Sequence, residues 1–222
     1  MRVKIFCILF FSLFSLSLQG PISWAQRGEK ALAHIMEQLK RTQESIEDFT
    51  ADITQVKHSS IFKEPVISKG KMIFKHPNQI WVEMKPPYPN ITVLRGGVLW
   101  IYFPEEKVAQ RYQVADNPFL TKWLLFVQNP IETVGKKISL QEEKKGEVVL
   151  SIDPTEDLAI FHEIKLWIDT SNWMLKRLEL VEKNRDRTTI DYLHIRINSG
   201  IPDSSFELKL PPDVEIVEPM KR

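Results

Sequence analysis

The chain has 222 residues, 30 of them basic and 29 acidic, for a formal net charge of +1, and 43% of its residues are hydrophobic. That length is enough for one domain with a sizeable core, and the near-neutral balance gives no general electrostatic reason to bind nucleic acid. A single cysteine, Cys7, excludes an intrachain disulfide framework.

Arg2 and Lys4 precede an uncharged run from Ile5 to Leu18, and Ser23-Trp24-Ala25 sets small residues at the two positions a signal peptidase reads. The run of about 14 residues is shorter than the roughly 20 that a spanning helix needs. The expectation is a cleaved secretory signal over residues 1–25 and a single domain over residues 26–222. Cleavage after Ala25 removes Cys7 and two basic residues, leaving 28 basic against 29 acidic side chains. No Leu-x-x-Cys pattern places Cys7 for lipid attachment, so the mature chain is expected to carry neither thiol nor lipid anchor.

Glu29 to Ile46 reads as a helix, because Leu32, Ile35, Leu39 and Ile46 fall near one face while Glu37, Lys40, Arg41 and Glu44 face water. From Phe49 onward the pattern changes to short β-branched and aromatic segments separated by turn residues. Strands are predicted over residues 49–58, 66–76, 79–85, 91–94, 98–103, 107–114, 136–141, 147–152, 160–169, 174–183, 187–198 and 205–209. Pro77-Asn78, Pro86-Pro87-Tyr88-Pro89, Arg95-Gly96-Gly97 and Pro104 punctuate them. Such short connections favour antiparallel neighbours, hence one curved meander. Pro211-Pro212 and Pro219 mark an extended tail.

One stretch breaks the β pattern. Asn117-Pro118 is followed by Phe119, Leu120, Trp123, Leu124, Leu125, Phe126 and Val127, then Asn129-Pro130. This predicts a short helix too apolar for a single stripe, which must contact apolar material on more than one side.

Catalytic motifs are missing at the spacings their mechanics demand. The chain has no Gly-x-Ser-x-Gly elbow, no His-Glu-x-x-His and no phosphate-cradling glycine loop, and the acidic pairs Glu105-Glu106 and Glu142-Glu143 fall in predicted turns. Its five histidines, His34, His58, His76, His162 and His194, are scattered. The expectation is no catalytic residue, no metal and no cofactor.

Several segments, taken in order, resemble the periplasmic outer-membrane lipoprotein carrier proteins (LolA-like family). After the amphipathic helix comes Phe49-Thr50-Ala51-Asp52-Ile53-Thr54-Gln55, then Ser68 to Asn78 with Gly70, a strand and the Pro-Asn turn. Gly97-Val98-Leu99-Trp100-Ile101-Tyr102-Phe103-Pro104 is the most specific piece. Ile164 to Asp169, Thr188-Thr189-Ile190, Asn198, Ile201-Pro202, Phe206 and Pro211-Pro212 complete the order.

The resemblance implies an incomplete antiparallel β-barrel, mainly β with helices, curled around a hydrophobic cavity with an α-helical lid. It implies a carrier that hides the acyl chains of lipoproteins and shuttles them from the inner to the outer membrane. The implied partners are acylated lipoproteins, an inner-membrane ATP-driven releasing complex and an outer-membrane acceptor; a monomer is expected. Cavity and lid contacts are expected at Ile73, Phe74, Ile80, Trp100, Phe119, Leu120, Trp123 and Leu124. Side chains alternate across a strand, so Ile73 and Phe74 share a face only if a bulge intervenes. The family often has arginine before the Pro-Asn turn, latching the lid of the empty form; here His76 holds that position and is the latch candidate. On residues alone, two other readings stay open: a carrier of another lipid or glycolipid, or an envelope sensor or interaction module on the same fold.

Overall fold

The computed structural model describes residues 24–117, 120–121, 138–154 and 156–219. Among these, the alternating segments form eleven antiparallel strands: β1 (Asp48–His58), β2 (Val66–Lys75), β3 (Gln79–Met84), β4 (Asn90–Arg95), β5 (Val98–Phe103), β6 (Val108–Gln113), β7 (Ile138–Lys144), β8 (Glu147–Ile152), β9 (Phe161–Asp169), β10 (Met174–Glu182) and β11 (Arg187–Ile197). A short twelfth, β12 (Glu215–Val217), pairs in parallel with β6.

All twelve lie in one sheet, ordered β12-β6-β5-β4-β3-β2-β1-β11-β10-β9-β8-β7. The sheet is thus two hairpin meanders, β1–β6 and β7–β11, joined where β1 pairs with β11. That seam carries a bulge between Thr50 and Asp52, opposite which His194 takes a left-handed backbone (φ +51°) and directs its Nδ1 to the Asp52 carboxylate at 2.9 Å. Bulges increase local twist and bend a strand. The sheet ends in β12 and β7 rather than closing. Both edges are poor templates for further pairing: β12 is three residues long, and β7 ends in Gln141-Glu142-Glu143-Lys144 with its own bulge.

The helix α1 (Trp24–Ser45) begins earlier than the pattern from Glu29 predicts, Gly28 being tolerated inside it. Leu32, Ile35 and Leu39 face the sheet, while Arg41–Glu37 (2.8 Å) and Lys40–Glu44 (3.9 Å) pair at i,i+4 on the water side. Its end is fixed by Asn198, whose amide donates to the Ser45 carbonyl (2.9 Å) and accepts from the Glu47 amide (2.8 Å).

Along β9 the two faces separate cleanly. Ile164, Leu166 and Ile168 are buried inward, and Glu163, Lys165 and Trp167 alternate with them outward. There Lys165 pairs with Glu163 at 2.9 Å, and Arg177 of β10 lies 5.9 Å from the centre of the Trp167 ring.

The C-terminal segment departs from expectation. The sequence pattern predicts a strand over residues 205–209, but Asp203–Phe206 forms a one-turn 3-10 helix after Pro202, and the chain beyond it runs without ladder partners until β12. The reason is burial: Phe206, 1% exposed, plugs the outer face, packing against β3 and β4 together with its turn. Lys75 holds the start of this segment by donating to the Ile201 carbonyl (2.8 Å) and to Asp203, which keeps the Asp203 carboxyl below the usual carboxylate range. The single parallel pair is therefore made by a tail crossing the outer face, not by a hairpin.

Candidate functional site

Strand register sorts the predicted site residues onto two faces. Across β1 to β6, Phe49, Phe74, Ile80, Leu94, Leu99 and Tyr112 stand opposite one another in sequence. They form an apolar cluster with Ile53, Met72 and Met84 on the inner face, the face that also carries α1. The Phe49 and Phe74 rings stack with centroids 5.3 Å apart. Methionines such as Met72 and Met84 adapt their shape easily to irregular contacts.

A second cluster joins α1 to β8, β9 and β10 through Ile35, Leu39, Leu150, Ile164, Leu166 and Leu178. The two clusters are distinct, and the side chains common to both are Ile190 and Tyr192 of β11. Tyr192 is partly exposed, and burial of its hydroxyl pushes the pKa up to about 12. Tyr112 satisfies its own hydroxyl on Gln110 at 2.8 Å.

Phe74 and Ile80 therefore share the inner cluster, and Leu120 packs against it. Asn117 positions Leu120: its side chain accepts from the Leu120 amide (3.1 Å) and its carbonyl from the Thr121 amide (2.9 Å), while the Thr121 hydroxyl donates to Val114 (2.8 Å). That is a capped helix start at the position where the apolar segment is expected to begin. Phe119, Trp123 and Leu124 lie outside the described residues, as does the segment 1–23.

Ile73 and Trp100 do not join the inner group. They align with Trp81, Val93 and Arg111 in one row on the opposite face. There Trp100 sits 5.8 Å below the Arg111 guanidinium and lines a groove of about 460 Å³ with Val93, Phe206 and Leu208. The β2–β3 register is regular, with no bulge to bring Ile73 to the side of Phe74, so of this alternating pair it is Phe74 that joins the inner cluster. His76 is exposed at the β2–β3 turn, and its backbone amide donates to the Glu47 carbonyl at 2.7 Å. Sequence reasoning passes over Phe49, Met72, Met84, Leu94, Leu99 and Tyr192. Their signal is the two-residue alternation, readable only once strand pairing is known.

Among the described residues no group of three or more His, Cys, Asp or Glu side chains is placed to hold a metal ion, and no helix is long and apolar enough to cross a membrane. What the inner face offers is apolar surface in two blocks with a tyrosine between them.

Residues 44–209 match the family described as outer membrane lipoprotein carrier protein LolA. The chain belongs to that family. Among its relatives, the outer-membrane lipoprotein carrier protein of Azotobacter vinelandii is 20% identical over 218 residues, covering 97% of this chain and all of that one. The carrier protein of Legionella pneumophila strain Corby is 26% identical over 176 residues, covering 78% and 85%. Among solved structures, an uncharacterized conserved protein from Thermus thermophilus superposes with a TM-score of 0.56 at 11% identity, covering 85% of this chain and 99% of that one. This last likeness shows the fold. In a LolA-family chain, the unclosed sheet and its helix-bearing inner face are the expected architecture, and Trp100 lies on the far side of the sheet from the inner cluster.

Proposed function

We propose that this protein is a periplasmic carrier, exported by its N-terminal segment and cleaved after Ala25, that takes up the acyl chains of lipoproteins against the inner face of its sheet. The supporting observation is the division of that face into two apolar clusters that, among the described residues, share Ile190 and Tyr192. A fully packed core leaves no room for a guest, since protein interiors are as dense as organic crystals. An open sheet with apolar surface in separate blocks suits a molecule that must hide acyl chains and then release them. Burial is worth about 0.8 kcal/mol per methylene, so a multiply acylated lipoprotein does not cross water unaided.

In this reading Phe74, Ile80 and Leu120, with Met72, Met84 and Leu99, line the binding surface, and Phe119, Trp123 and Leu124 belong to the lid. His76 takes the latch position. Ile73 and Trp100, on the outer face, make no acyl contact. Cargo arrives from an inner-membrane ATP-driven releasing complex and leaves for an outer-membrane acceptor. No step of this cycle calls for catalysis.

Mass spectrometry of acylated peptides and lipids co-purifying with the protein from its native periplasm tests the reading, with Leu120→Glu and Trp123→Glu variants beside the parent. Triacylated lipoprotein on the parent and its depletion on both variants is the expected result. Glycolipid or phospholipid as the sole guest, or none at all, would overturn it in favour of a different carrier or of an interaction module.

A further inference from the structure

The exposed large apolar side chains are unevenly distributed between the two ends of the strands. Among the described residues, those on turns rather than strands are Ile61 (83% exposed), Phe62 (47%), Tyr88 (57%) and Ile160 (51%). All four belong to turns at one end of the sheet: Ile61 and Phe62 between β1 and β2, Tyr88 between β3 and β4, and Ile160 between β8 and β9. The turns at the opposite end, around residues 76–78, 96–97, 145–146 and 170–173, carry no such side chain among the described residues. Single exposed apolar residues are ordinary. Four gathered on the turns of one end need a reason.

The β1–β2 turn is also braced in its outward position. The Ser59 hydroxyl donates to Asp186 (2.7 Å), the Ser60 amide donates to the same carboxylate (3.1 Å), and the Phe62 amide donates to the Ser59 carbonyl (3.1 Å). Asp186, itself buried, sits in the neighbouring β10–β11 turn, and these hydrogen bonds hold its carboxyl below the usual carboxylate range. That turn is tied in turn to Ile160, whose carbonyl accepts from the Lys183 amide at 3.1 Å. Ile61 and Phe62 are therefore displayed by a fixed scaffold rather than left over in a slack loop.

Cations flank this pair on the same two hairpins: Lys57 and Lys63 on one, Lys183, Arg185 and Arg187 on the other. Against these five cations the same two hairpins carry three acids, Glu64, Glu182 and Asp186, the last engaged by Ser59 and Ser60, and Arg187 also lies 4.0 Å from Glu179. The balance at the pair is positive, while Glu105, Glu106, Asp153 and Glu156 lie on the outlying turns. An apolar apex with aromatic neighbours and adjacent basic groups matches the boundary between lipid headgroups and acyl chains.

The geometry points to this end of the sheet as a membrane-contact tip: Ile61 and Phe62 enter the surface of an anionic phospholipid bilayer, Tyr88 and Ile160 rest at its boundary, and Lys63, Arg185 and Arg187 meet lipid phosphates. The contact is made by the protein without cargo, so it stands or falls apart from the acyl-binding reading.

The test uses the chain from Gln26 onward, the form left by cleavage after Ala25, which holds no cysteine. Ile61→Cys is labelled with an environment-sensitive fluorophore, with Lys145→Cys at the opposite end as control, and mixed with vesicles of phosphatidylethanolamine and phosphatidylglycerol. The expected result is a blue shift and quenching by brominated acyl chains at position 61 but not at 145. In flotation with the same vesicles, Ile61→Asp with Phe62→Ser is expected to lower binding about tenfold or more while leaving co-purified cargo unchanged. A label at position 61 that ignores the vesicles overturns the proposal. So does unchanged flotation of the double variant, or a blue shift that appears without lipid and follows protein concentration, which marks contact between copies.

Discussion

The Asp48 carboxylate accepts hydrogen bonds from three successive backbone amides, those of Ser199 (2.7 Å), Gly200 (2.9 Å) and Ile201 (3.1 Å), while only 3% exposed. It closes the junction where α1 enters β1 and where the tail leaves β11. Asp48→Ala strands those donors beside an apolar side chain, and unmet buried donors cost about 1–3 kcal/mol each. A loss of about 3 kcal/mol is expected, read as a lower urea midpoint with an unchanged slope. Tyr192 supplies a second residue-scale prediction. Its hydroxyl titrates at about 12 when folded against 10.0 for the ordinary group. Below pH 10 it is neutral in both states and has no effect on the pH dependence. Between those values the unfolded chain ionises first, so stability falls as pH rises through the window. Absorbance titration is expected to show one of the four tyrosines ionising late, and Tyr192→Phe is expected to remove both that step and its share of the alkaline destabilisation.

At the scale of elements, the β2–β3 hairpin depends on Gly70. A Cβ placed there runs into the Glu83 carbonyl oxygen and comes within 2.8 Å of the Met84 sulfur. The methionine can swing aside, but the backbone of the paired strand cannot. Gly70→Val is therefore expected to cost at least about 1–3 kcal/mol and to push β3 away from β2, visible as faster amide exchange at Met72, Val82 and Met84. The turn before β5 uses glycine for a different reason: Gly96 and Gly97 both adopt left-handed backbone, at φ +58° and +76°, which lets a two-residue connection match the twist of its strands. Strand boundaries follow the alternating pattern to within a few residues because period-two burial and turn residues are local signals. The error at residues 205–209 arises because a buried aromatic in a polar stretch reads alike as a strand residue or as a plug.

For the molecule as a whole, the tail is a structural member. It covers the outer face of β3 to β6, where Val93 (2% exposed) and Ala109 (0%) are sealed, and it is held by Lys75 at one end and by Arg111 with Glu218 (2.6 Å) at the other. Phe206→Ala is expected to destabilise the fold by about 3–5 kcal/mol in urea unfolding, and to expose Trp100 to aqueous quenchers because that side chain shares the groove beneath the tail. The arrangement also sets how the faces divide the work. Over β3 to β6 the outer face is covered by the chain's own C-terminal segment, while the inner face there carries the apolar cluster of Ile80, Leu94 and Leu99.

Fold class, the places of most strands and the first helix were legible in the sequence, since periodicity depends on neighbours a few residues away. The family was legible too, through the order of segments such as Gly97 to Pro104. What only the tertiary structure decided is which residues share a surface. Ile73 and Phe74 are adjacent in the chain and part to opposite faces because β2 pairs with β3 in unbroken register. The most recognisable tryptophan, Trp100, faces the tail because β5 aligns it with Val93 and Arg111. The seam between β1 and β11 unites residues about 140 positions apart, as Asp52 and Leu193 illustrate. No local pattern encodes such a pairing; it follows from which strands bury the most surface together, a choice made by the folded chain as a whole.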